Sequence, residues 1–163
     1  MSQLLVITFP KRETAGQAAE RLKSLSKAHA ASIKDMAVVE KDAEEKVHVH
    51  HGVDSGTAGG AIGGGILGLM LGLVFFPIGG LIIGAAAGAF IGRSLHHNID
   101  KKLIEDVTND LTTNTSALFV IGEGSAPAVV GALEPYKGKV YQTTVDPETE
   151  AQLQAALDKE QQD

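Results

Sequence analysis

The chain has 163 residues, 44% of them hydrophobic and 21% charged, with a net charge of −6 and no cysteine. That length holds one modest domain rather than two. The acidic balance and the absence of any basic run exclude nucleic acid as a partner, since phosphate binding needs a basic patch; the lack of cysteine excludes disulfides, thiolate metal sites and cysteine nucleophiles.

The averages conceal two populations. Nothing between Asp54 and Arg93 carries a charge, and 13 of the 19 glycines lie there, so the flanks carry the whole net charge. In chain order, residues 4–9 (LLVITF) form a short apolar run rich in β-formers and stopped by Pro10, the pattern of a core strand. It is too short for a signal-peptide core and no basic segment precedes it. Residues 14–30 read as a helix whose apolar stripe is Ala18, Leu22 and Leu25, with Arg21, Lys23 and Lys27 off the stripe. Residues 33–41 and 46–51 read as two strands of a hairpin around the charged turn DAEE.

The uncharged insert follows. Gly56, Gly60, Gly64, Gly68 and Gly72 recur every fourth residue, and after Phe75, Phe76 and Pro77 the register resumes at Gly80, Gly84, Gly88 and Gly92. On a helix, residues four apart share a face, so each segment would present a strip without side chains. Glycine costs about 1 kcal/mol per helical position in water, and only close backbone packing compensates a register of this length. Residues 55–75 would span about 31 Å as a helix, enough to cross a bilayer, whereas 78–92 would reach about 22 Å and fall short. The expectation is a hydrophobic helical hairpin, spanning or re-entrant, with tip Phe75-Phe76-Pro77. Basic Lys46, Arg93, Lys101 and Lys102 beside its exits favour the cytoplasmic side of an inner membrane. A buried hairpin in the core of a soluble oligomer is the alternative.

Beyond the insert, 98–111 reads as an amphipathic helix with Leu103, Ile104, Val107 and Leu111 on its stripe and Asn98 or Asp100 as its cap. Residues 117–121 (ALFVI), apolar throughout, read as a central strand. A short helix over 126–133, a strand over 138–145 and a helix opened by Asp146-Pro147-Glu148 complete the chain. Without the insert the order is β-α-β-β-α-β followed by α-β-α. The expected class is α+β: a ferredoxin-like split βαβ sandwich with helices on one face, built from 1–54 and 96–163, with the hairpin (55–95) between the third strand and the second helix and a C-terminal α-β-α extension.

Five of the six histidines cluster at the hairpin's base: His48, His50 and His51 on entry, His96 and His97 on exit. Strand alternation puts His48 and His50 on one face and His51 on the other. The functional reading is a metal site or a pH-sensitive collar; the plain one is a set of amphipathic residues at a boundary. Gly122-Glu123-Gly124-Ser125 sits between strand and helix but lacks the lysine and third glycine of a phosphate loop, and a tight turn explains it. Neither Ser125 nor His29 joins a triad, no carboxylate pair is legible, and no cofactor is implied.

The order of parts resembles a known family, domain of unknown function 1269, grouped as predicted bacterial membrane proteins. The matching stretches are LLVITF with its helix, MAVVEKD, the glycine-zipper insert and SALFVIGEG…VVGALEPYKGKVYQTTVDPETEAQLQAAL. Members often carry basic residues after the ALFV strand, where this chain has Gly122-Glu123-Gly124. The resemblance implies membrane association and no catalytic residues. The expected function is a non-enzymatic, membrane-associated oligomeric scaffold, its partners membrane lipid and copies of itself. Alternatives are a pore or transport element and a membrane-tethered sensor of ligand, metal or pH.

Overall fold

The computed structural model describes residues 2–27, 33–51, 71, 100–123, 126–148 and 151. Five strands, β1 (Ser2–Phe9), β2 (Ile33–Lys41), β3 (Val47–His51), β4 (Ser116–Gly122) and β5 (Lys139–Val145), alternate with helices α1 (Thr14–Lys27), α2 (Lys101–Asp110) and α3 (Ala126–Leu133). They form one antiparallel sheet in the order β3-β2-β4-β1-β5. The class is α+β, as the sequence implies. The all-apolar strand β4 is the central one, buried along its whole length between β1 and β2.

Alternation along the strands separates two apolar clusters. Leu5, Ile7, Met36, Val38, Leu118 and Val120 face one way, and there Ala15, Ala18 and Leu22 of α1 and Val129 and Leu133 of α3 cover them. Leu4, Val6, Ala37, Val39, Phe119 and Ile121 face the other way, covered by Leu103 and Val107 of α2. Helices therefore lie on both faces, which corrects the expected one-sided sandwich. An amphipathic stripe shows that a helix is covered on one side, but not which side of a sheet covers it.

The second face also holds Leu71, which is fully buried in the same cluster as Leu4, Phe119 and Val107. Leu71 belongs to the greasiest part of the uncharged insert. Among the described residues no helix is long and apolar enough to cross a membrane. The expected transmembrane hairpin, and with it the inner-membrane placement with a cytoplasmic α/β domain, is corrected on that finding. The physical reason is visible at Leu71: a side chain sealed into the core of the sheet domain does not face lipid. The zipper glycines Gly56, Gly60, Gly64, Gly68, Gly72, Gly80, Gly84, Gly88 and Gly92, and the tip Phe75, Phe76 and Pro77, lie outside the described residues.

Local chemistry fixes the connections. Asp42 Oδ1 accepts from the Glu44 and Lys46 amides at 2.8 and 2.9 Å, and Glu45 takes a left-handed φ of 65°, closing the β2–β3 hairpin. Asp100 caps α2 by accepting from the Lys102 amide at 2.9 Å, one of the two caps expected. Buried Ser116 donates to the Lys11 carbonyl at 2.6 Å and accepts from the Ala15 amide at 3.1 Å, so the start of β4 caps α1 from across the chain. Before β5, Lys137 is left-handed (φ 56°) and Gly138 lies flat on Ile7 and Phe9; a Cβ there would sit 2.6 Å from Phe9 Cε1. That close approach admits only glycine, and β5 begins at the next residue, Lys139.

Candidate functional site

At one end of the sheet the C-terminus of β1, the start of β5, the end of α2 and the loop 112–115 converge. The antiparallel register brings Thr8 of β1 opposite Lys139 of β5. The loop is stitched to β2: Lys41 N–H donates to the Thr115 carbonyl at 3.0 Å, and the Asn114 amide donates to the Lys41 carbonyl at 2.9 Å. Lys41 Nζ donates to the Leu111 carbonyl at 3.2 Å, placing positive charge at the negative end of the α2 dipole. Between these elements lies a cleft of about 330 Å³ lined by Thr8, Phe9, Pro10, Asp110, Thr112, Thr115, Lys137 and Lys139.

The floor of the cleft is a hydrogen-bonded carboxylate. Asp110 Oδ2 accepts from Tyr141 Oη at 2.5 Å and from Thr8 Oγ1 at 3.2 Å. Lys139 Nζ stands 3.9 Å from the other oxygen, Oδ1. The Asp110 hydrogen bond, then burial and the charges of Asp110 and Asp106, push the Tyr141 phenol up to about 12, so it stays a donor at every physiological pH. Thr8 and Thr115 are nearly buried, and Thr115 Oγ1 donates to the Thr112 carbonyl at 2.7 Å. The walls are thus ordered polar groups on a rigid sheet, with two lysines at the rim. Sequence reading missed this cluster because its members are far apart in the chain. The available signals were Thr8 interrupting an apolar strand and Asp110 ending an amphipathic helix.

Of the expected histidine collar, the side chains of His48 and His50 are described. His48 and His50 share the first face of edge strand β3, as alternation requires. Each is engaged by an acid: His48 Nε2 lies 2.8 Å from Asp42 Oδ2, and His50 Nε2 lies 3.6 Å from Glu40 Oε2, which Arg12 Nε also approaches at 3.6 Å. The His48 hydrogen bond, with the Lys46 amide, holds Asp42 down to about 2. Among the described residues no group of three or more metal-ligating side chains comes together. The side chain of His51, and His96 and His97, lie outside the described residues. After β4, Glu123 pairs with Lys34 at 3.4 Å, so an acid stands and is engaged where the resembled pattern often carries a base.

An α+β domain with a five-stranded antiparallel sheet, covered on both faces and cleft at one end, is the class these observations define. Residues 61–158, more than half of the chain, match the family described as "Protein of unknown function (DUF1269)", and the chain belongs to that family. No curated protein and no solved structure matches it.

Proposed function

We propose that this protein is a non-enzymatic assembly module, in which the glycine-registered segments of several copies pack backbone to backbone and array the α+β domains around that contact. The observation that carries the reading is the register itself: nine glycines at four-residue intervals in two uncharged runs, Gly56 to Gly72 and Gly80 to Gly92. Such strips are costly in water and are compensated where helix backbones press together.

We read the sheet as a ferredoxin-like core made of β1, α1, β2, β4, α3 and β5. In support, β1 and β2 flank antiparallel β4, as a split βαβ unit requires, and α1 and α3 share one face. Strand β3, the uncharged stretch and α2 then form a single insertion between β2 and β4, an assignment different from the first six elements in chain order.

Native mass spectrometry of the full chain, whose monomer is 17.0 kDa, tests the assembly. The wild type is expected as a multiple of that mass. Gly64→Leu combined with Gly84→Leu should reduce it while the circular dichroism of the sheet domain is retained. A monomeric wild type, or an unchanged oligomer in the double variant, rules the proposal out.

A further inference from the structure

The cleft at the end of β1 and β5 carries chemistry of its own. Its carboxylate is half used. Asp110 Oδ2 takes both hydroxyl donors, whereas among the described residues Oδ1 has only Lys139 Nζ at 3.9 Å, beyond hydrogen-bonding distance. One carboxylate oxygen therefore has open acceptor positions on the wall of a 330 Å³ cavity. At the rim stand Lys137 and Lys139. Lys137 has no ion-pair partner among the described residues, and its left-handed backbone holds it at the cleft's edge next to β5. Pro10 adds an apolar edge, and Thr8, Thr112 and Thr115 complete the lining.

A lone anion attracted by the two lysines would meet the Asp110 carboxylate, and a lone cation attracted by Asp110 would meet two ammonium groups. Only a molecule carrying both signs, a few bonds apart, satisfies both. We propose that this cleft binds a small zwitterion of the α-amino-acid type, with its ammonium on Asp110 Oδ1, its carboxylate at the Lys137 and Lys139 rim, and its side chain towards Pro10. Tyr141 and Thr8 are positioning residues: their hydrogen bonds to Oδ2 fix the carboxylate so that Oδ1 faces the cavity.

The test is titration of the full-length protein, followed by NMR of the Thr8, Asp110, Thr115 and Lys139 amides. The probes are glycine, L-alanine, L-glutamate and L-lysine, with acetate and methylammonium as single-charge controls. At least one amino acid should shift these amides saturably, with both controls about tenfold weaker or worse, the size of one lost charge-assisted contact. Asp110→Asn should weaken binding by about ten- to a hundred-fold. Lys139→Met should weaken it several-fold; this side chain is 72% exposed, so the variant keeps the test alive if Asp110→Asn fails to fold. Silence of all four amino acids, equal binding of acetate or methylammonium, or full binding by both variants would overturn the proposal.

Discussion

The two faces of the sheet are built by different means. The first is sealed by α1 and α3, each within a few residues of the strand it follows. The second is covered by α2, which arrives after the whole uncharged stretch, and by Leu71 from within that stretch. It also carries the polar set Thr8, Asp110 and Tyr141 at one end. The first face is a scaffold assembled from local sequence. The second is completed by distant sequence, and the polar set of the cleft gathers at its end.

The largest expected effect tests how well the second face is packed. Phe119 is the largest fully buried side chain among the described residues and projects into that face. Phe119→Ala should cost about 3–5 kcal/mol in urea unfolding, as for a close-packed aromatic; a cost below about 1 kcal/mol would show a loose cover. On the other face the sharper probe is polar. Ser116→Ala leaves the Lys11 carbonyl and the Ala15 amide without their shared hydroxyl, and should cost about 1–3 kcal/mol and loosen the start of α1. Rapid amide exchange confined to residues 14–17 is the expected signature, and exchange unchanged from the wild type would contradict it.

A smaller effect separates the faces by pH. Because the Tyr141 phenol is raised from its ordinary 10 to about 12 in the folded protein, its contribution to stability is complete below 10 and lost as pH rises through 12. The chain has two tyrosines and no tryptophan, so phenolate absorbance follows them directly. Asp110→Asn should bring the late-titrating tyrosine back towards 10; a titration unchanged by that substitution would remove Asp110 as the cause.

Much of the sheet was legible in the residues. The bounds 33–41 and 126–133 coincide with β2 and α3, and ALFVI read as central because both of its faces are apolar. Asp100 as the α2 cap and the DAEE hairpin turn were equally readable, since both depend on neighbours in the chain. The side of the sheet taken by each helix was not, because Leu103 and Val107 mark a stripe without naming its partner. The cleft was illegible for the same reason: Thr8 and Asp110 stand 102 residues apart, and only the β1–β5 register and the path of α2 unite them. The uncharged stretch misled most. Its hydropathy suits lipid and protein interior alike, and Leu71 belongs to the latter.

Leu71 is where the account is most exposed. Urea unfolding of Leu71→Ala in the full chain measures whether the uncharged stretch helps build the sheet domain's second face. A loss of about 2–5 kcal/mol is expected, the cost of emptying a sealed leucine site. A change within about 0.5 kcal/mol, the range of a surface substitution, would contradict it.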